Sequence, residues 1–319
     1  MNLKFWGTRG SLPIALTLEQ LRGKLADALV ASAGRSFATR DDALQFVTGT
    51  LPFEIGGGFG GNSSCVEVRT GQDEYLLCDA GSGLRVFGNQ VLGARAGRPG
   101  VYHLLMSHVH WDHIMGFPFF TPSFIPGNRI IIHGCHANLR EAFERQHGAP
   151  SFPVPWKALG ADIAFDLLTP GVTTEIAGVQ VTPMLQLHEG DSYGYRIEHG
   201  GRVCIYTTDS EHKPEDFGQM QAFADFFRNA DVVVFDAMYS LADAVSLKED
   251  WGHSSNVVGV ELCQMAGARH LVLFHHEPVF DDARIAATLE ETRRFEEITR
   301  DEQPPLRVTA AYDGLELDV

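Results

Sequence analysis

Ser107-His108-Val109-His110-Trp111-Asp112-His113 stands directly behind the apolar run Val101–Met106. Three imidazoles and a carboxylate packed so tightly behind a strand cannot all enter an apolar core, because burying them unpaired forfeits their hydration. A metal ion removes the conflict, since neutral imidazole nitrogens and carboxylate oxygens are what Zn²⁺, Mn²⁺ and Fe²⁺ take. On a tight loop, His108 and His110 reach one ion, while Asp112 and His113, further round, reach a second.

One motif cannot close two coordination shells, so further ligands are expected at other strand ends. The candidates are His188 behind Val179–Leu187, Asp209 behind Val203–Tyr206, and His275 or His276 behind Leu271–Phe274. Their shared placement groups them, because an α/β scaffold presents side chains from one edge of its sheets. His253, in Trp251-Gly252-His253-Ser254-Ser255, follows no strand and reads as a loop acid or base, or as a helix-N-terminal group.

The rest of the chain reads as many strands and fewer helices. Further β-branched or apolar runs are Asn2–Trp6, Cys65–Val68, Tyr75–Cys78, Arg129–Ile132, Gly194–Glu198, Val232–Phe235 and Leu306–Ala310. Most have Gly, Pro, Asp or Ser close behind them, as strands do. Leu18, Leu21, Leu25 and Leu29 follow Thr17 at helical spacing, with Thr17 as N-cap. Asn256–Ala266 carries Val257, Val260, Leu262 and Met265 as its apolar set and stops at Gly267. Ala283–Arg300 is a third helical stretch. The mixture predicts an α/β fold with helices outside paired sheets.

Two segments interrupt this regularity. Ile14–Phe53 is mostly helical and precedes the glycine cluster Gly56–Gly61. The cluster formally contains G-x-G-x-x-G, but a strand rather than a helix follows, so a tight turn or hinge is expected and not a dinucleotide site. The leucine stripe reads first as packing against the body, and otherwise as a substrate lid or a homodimer contact. Phe117–Gly127 is too broken by Pro118, Pro122 and Pro126 for regular structure. Its Phe117, Phe119, Phe120 and Phe124 either stack a base or form a wall packed against the sheet or a subunit interface.

Composition bounds the partners. The chain has 319 residues, with 41 acidic against 25 Lys plus Arg, a formal charge of −16. A long nucleic-acid surface shows a basic stripe, and none exists here, which disfavours a long nucleic acid as partner and points to a small-molecule substrate. No apolar run approaches the ~18 residues of a membrane span, and the first ten residues lack signal-peptide features, so a cytoplasmic location is expected. The five cysteines have no C-x-x-C spacing and read as reduced thiols.

H-x-H-x-D-H followed by single His, Asp and His residues at strand ends resembles the metallo-β-lactamase superfamily. Phe5-Trp6-Gly7-Thr8-Arg9-Gly10-Ser11, Gly61-Asn62-Ser63-Ser64-Cys65, Asp79-Ala80-Gly81-Ser82-Gly83, Asp236-Ala237-Met238-Tyr239 and Gly252-His253-Ser254-Ser255 look like its tRNase Z-type and cyclic-nucleotide phosphodiesterase-type branch. The resemblance implies a four-layered αβ/βα sandwich, one domain over residues 1–319 with a helical insertion at about 14–53. It implies that His108, His110 and His188 bind one divalent ion, that Asp112, His113 and His275 bind another, and that Asp209 bridges them. His275 is preferred to His276 because Leu273-Phe274-His275-His276-Glu277-Pro278 looks like the family's last motif. Asp79 would orient a ligand imidazole. Zinc is the first expectation, with manganese and iron sharing these ligands.

The activity so implied is hydrolysis. Two ions ~3.5–4 Å apart acidify a shared water and clamp developing negative charge. Asp112 would ligate and orient that water, and His253 would protonate the leaving alkoxide of a phosphodiester, worth ~10²–10⁴ in rate. A small phosphodiester such as a cyclic nucleotide is the expected substrate. The alternatives are a lactone, sulfate ester or thioester, a tRNase Z-like ribonuclease activity, and, further off, iron-dependent oxidoreduction.

Overall fold

The computed structural model describes residues 1–213, 216–239 and 252–319; Trp251 lies outside the described residues. In the first half the strands are β1 (Asn2–Gly7), β2 (Cys65–Arg69), β3 (Tyr75–Cys78), β4 (Val101–Leu105), β5 (Arg129–Gly134), β6 (Asp162–Leu167) and β7 (Thr174–Ile176). In the second they are β8 (Val179–Gln186), β9 (Ser192–His199), β10 (Arg202–Thr207), β11 (Val232–Asp236), β12 (His270–Phe274), β13 (Arg307–Ala310) and β14 (Glu316–Asp318). They form two seven-stranded sheets, ordered β14-β1-β2-β3-β4-β5-β6 and β13-β12-β11-β10-β9-β8-β7.

Every apolar run read from the sequence is a strand. Three strands escaped that reading: β6, β7 and β14. β7 and β14 are three residues long. β6 is a sheet-edge strand with no fully buried residue, so it lacks the continuous apolar signal of its neighbours.

Three apolar clusters make the layers. One lies between the sheets, where Leu3, Phe5 and Leu105 meet Tyr195, Val234 and Phe274. The second covers the outer face of the second sheet with α7 (Phe217–Phe227), α8 (Asn256–Ala266) and α9 (Asp282–Thr299). The third covers the outer face of the first sheet with α4 (Gly83–Arg95) and α6 (Leu139–Gln146). Helix, sheet, sheet, helix is the αβ/βα sandwich. α8 has the expected Gly267 cap, left-handed at φ 64°, but its buried set is Val258, Val260, Leu262, Cys263 and Ala266, while Met265 is exposed. The helix is rotated from the expected face, because Val258, Cys263 and Ala266 complete the stripe that meets the sheet.

Residues 14–53 form α1 (Leu18–Ala31) and α2 (Arg40–Gly49), followed by the short α3 (Phe53–Gly56). Thr17 caps α1, with Gln20 reciprocating, as its sequence suggests. The packing expectation fails: α1 has no buried residue, and Leu18, Leu21, Leu25 and Leu29 are all exposed. The helix is held instead from its polar side, through the ion pair of Lys24 with the buried Asp282. The glycine cluster is a turn. Gly60 sits at φ 87°, and the amides of Gly61 and Asn62 each donate to Asp313 Oδ2 at 3.0 Å. A Cβ on Gly60 would lie 2.2 Å from the Asp313 carboxyl carbon.

Strands β3 to β6 run parallel, as do β10 to β13. β8 points the same way as β10, since β9 is antiparallel to both. The carboxyl ends of β3, β4, β8, β10, β11 and β12 therefore open on one edge, where open α/β sheets place ligands.

Candidate metal centre

The segment behind β4 turns sharply. Ser107 donates its amide and hydroxyl to Asp79, and Trp111–Ile114 then winds into one helical turn, α5. The inward face of α5 carries Asp112 and His113, both buried, while Trp111 faces out. Gly116 follows under the turn, where a Cβ would lie 1.9 Å from the Gly81 carbonyl oxygen. Only glycine lets the metal loop lie against the Asp79–Gly83 loop so closely.

Among the described residues, three groups of donor atoms form on this edge. His108, His110 and His188 make one, Asp112, His113, Asp209 and His275 the second, and Asp236, His253 and His275 a third that shares His275 with the second. Asp209 faces the first two. Its Oδ2 is 3.7 Å from His108 Nε2 and 3.8 Å from His188 Nε2; its Oδ1 is 3.2 Å from both His113 Nε2 and His275 Nε2. Asp112 Oδ2 lies 3.1 Å from His113 Nε2 and 3.5 Å from His275 Nε2. A tetrahedron with bonds of about 2.0–2.1 Å has edges of about 3.3 Å, close to these separations.

The outer nitrogens decide what the inner ones can do. His113 Nδ1 is 2.8 Å from Asp79 Oδ2, His188 Nδ1 is 2.9 Å from the Gly252 carbonyl, and His108 Nδ1 is 3.0 Å from Ser107 Oγ. A carboxylate or carbonyl only accepts, so His113 and His188 carry their protons on Nδ1 and, when neutral, turn a lone pair inward from Nε2. The Nε2 atoms of His108, His113 and His275 are buried and make no hydrogen bond. Lone pairs facing carboxylate oxygens at 3.1–3.2 Å repel unless a cation or proton stands between them. The donor set therefore fits divalent metal ions.

Without them the centre holds protons. Burial opposes charge on His113, yet Asp209, Asp112 and Asp79 raise it well above the ordinary imidazole range. His108 is driven well below that range, by burial and then by His113. Burial also works against ionised Asp209, but His275, His113 and His108 hold it well below the carboxylate range.

Asp79 is fully buried, at φ 61°, and its Oδ2 also accepts from Tyr206 Oη at 2.6 Å. It is the orienting group for His113. Asp79→Asn is expected to weaken metal binding about 10- to 100-fold, as loss of a supporting carboxylate does, measured by competition with a chromogenic chelator. An unchanged affinity would remove that role. Asp209 and His275 share the left-handed backbone, at φ 46° and 61°. Asp and His are among the few non-glycine types that tolerate it.

His276 faces away. Its Nε2 is 2.8 Å from the Ala311 carbonyl, and burial pushes it down to about 3. Of the pair, His275 is the one that faces the donor groups. His253 lies beside both groups, its ring 5.2 Å from His275 and 5.4 Å from His188. Its Nδ1 is 2.8 Å from Asp236 Oδ2. Burial lowers its pKa, but Asp236, followed by Asp209 and Asp112, raises it to about 9.

Sequence reasoning gave Asp236 and Gly252 no role. Asp236 ends β11 as Asp209 follows β10, and that shared position was the available signal. Gly252 sits at φ 78°, and a Cβ there would lie 2.4 Å from His188 Nδ1. The two readings of the phenylalanines divide between residues, with the packed wall holding for Phe117 and Phe120. Phe117 and Phe120 are fully buried, Phe117 against Phe143 and Trp156 and Phe120 against Phe87 and Tyr102, so only Phe119 is openly exposed.

A family model described as "Beta-lactamase superfamily domain" matches residues 74–276, well over half of the chain. The chain belongs to the beta-lactamase superfamily. The crystal structure of the metallo-beta-lactamase fold protein YhfI from Bacillus subtilis superimposes with a TM-score of 0.63 at 16% identity, over 99% of this chain and 98% of that one. This superfamily member is 28% identical to a Ribonuclease Z of Haloarcula marismortui over 163 residues, 49% of this chain and 48% of the relative. It thus spans about half of that relative's length. A Ribonuclease Z of Natronomonas pharaonis is 25% identical, over 67% of this chain and 81% of its own. The chain thus has the metallo-β-lactamase fold and a candidate site for divalent metal ions. Among the described residues, no helix is long and apolar enough to cross a membrane.

Proposed function

We propose that the chain is a dinuclear metal-dependent phosphodiesterase acting on a small ester such as a cyclic nucleotide. His108, His110 and His188 hold one ion, Asp112, His113 and His275 the other, and Asp209 joins them. The observation that carries the two-ion reading is Asp209, which turns one carboxylate oxygen to each histidine group. Divalent ions bound there acidify water and neutralise charge on a phosphoryl oxygen.

The protein's own groups do the rest. Asp112 accepts a hydrogen bond from the attacking water and orients it. His253, held in its charged form and its orientation by Asp236, donates the Nε2 proton to the leaving oxygen. That acid favours a phosphodiester, whose alkoxide leaves poorly unprotonated; a lactone or thioester needs it less. The relatives named Ribonuclease Z support phosphodiester chemistry.

A panel of bis-p-nitrophenyl phosphate, an aliphatic lactone, a sulfate ester and a thioester, offered to the zinc- or manganese-loaded protein, separates the ester classes. Turnover of the phosphodiester is expected; turnover confined to another ester overturns the reading. The second reading is cleavage of a tRNA precursor, favoured by the names of those relatives. The charge of −16 counts against it, since a long polyanion needs basic surface. Site-specific cleavage of a precursor tRNA at catalytic enzyme concentration would establish it.

A further inference from the structure

Beside the candidate centre lies a cleft of about 560 Å³ that begins at His110. This is the size at which proteins enclose small organic ligands. Its walls combine three features: Trp111 and Phe119, exposed at 68% and 56%; Phe152, edge-on to Phe119 at 5.6 Å between ring centres; and Arg145 at the rim. An indole left in water by the same turn that buries Asp112 and His113 is unusual, because tryptophan is normally well covered. Arg145, in the last turn of α6, is exposed and, among the described residues, forms no ion pair, although the chain is strongly acidic. Gln146 Nε2 donates to the Ile114 carbonyl at 3.0 Å and so fixes α6, with Arg145, against the turn that carries Trp111.

We infer that this cleft receives the nucleobase of a nucleoside phosphate ester, stacked on Trp111 and Phe119 and met at its polar edge by Arg145. The inference rests on the phosphodiesterase reading for the bond that is cut and names what is attached to it. Flat apolar rings with one guanidinium suit a π-system bearing carbonyl and ring-nitrogen acceptors, and an aliphatic alcohol would leave both unused. Because His110 lines the cleft, a base bound there keeps its phosphate within reach of the histidine groups.

The test is equilibrium binding of adenosine, with ribose as control, to protein with and without zinc, read by tryptophan fluorescence. Adenosine is expected to quench saturably and ribose not. Trp111→Leu should abolish the quench, and Phe119→Ala and Arg145→Gln should each weaken binding by about fivefold or more. In the zinc-loaded protein, Phe119→Ala should raise KM for thymidine 5′-(p-nitrophenyl phosphate) and leave methyl p-nitrophenyl phosphate unchanged. Equal response to adenosine and ribose, or equal effects of Phe119→Ala on both esters, overturns the inference. If adenosine binds as stated but no phosphodiester is turned over, the cleft stands and the phosphodiesterase reading falls. If methyl p-nitrophenyl phosphate is cleaved while adenosine does not bind, the reverse holds.

Discussion

Asp209→Asn is expected to lower bound metal from two equivalents to one or fewer and to cut phosphodiester turnover by more than 100-fold. The reason is its double contact: among the described residues, no other side chain presents one oxygen to His113 and His275 and the other to His108 and His188. Loss of a supporting group costs about 10- to 100-fold in affinity or activity. A donor shared by two ions weakens both at once and leaves buried imidazoles facing one another. Elemental analysis after dialysis, with kcat on the same samples, checks it. Two retained equivalents with turnover within threefold of the parent would defeat the bridging assignment.

His253→Ala is the second large effect, in the opposite pattern. Metal content stays at two equivalents while kcat on a poor-leaving-group phosphodiester falls by roughly 10²–10⁴. A good leaving group such as p-nitrophenolate needs less protonation, so the loss there is smaller, about tenfold. The dependence on pH follows from the charges. An acid acts only while protonated, so turnover is lost as pH rises through the pKa of His253. Asp236 is the main raising charge, and Asp236→Asn should therefore move that loss to lower pH. Bound cations neutralise Asp209 and Asp112, which also raise His253, so the loaded protein should show the loss below about 9. A pH profile unchanged in Asp236→Asn would take the acid role from His253.

Much of this architecture was legible in the chain because apolar runs and histidines are loud signals. Val101–Met106 followed by three histidines told of a strand end and a donor cluster together, and the other strand ends supplied the partners. What escaped was set by tertiary context. Helix α4 carries three glycines and α7 four phenylalanines, residue types that favour a helix little by themselves, and both form because a sheet face needs covering. Asp236 was invisible as a partner of His253, since nothing in linear spacing shows which carboxylate meets which ring. The leucines of α1 misled for the same reason: helical spacing describes a stripe, not what lies opposite it. Phe117 and Phe119 differ by two positions in a proline-rich turn, and only the turn's geometry buries one and exposes the other.

The left-handed corners at Asp79, Asp209 and His275 have a further consequence. A side chain held there costs about 1–3 kcal/mol at the upper end, and a residue with no Cβ would sit there unstrained. On backbone grounds alone, glycine at any of the three would make a hardier scaffold, and the same change would silence the centre. Robustness and reactivity thus pull apart in the backbone at these three strand tips, but at Asp79 the carboxylate also satisfies Ser107, Tyr206 and His113, so there the same residue serves both.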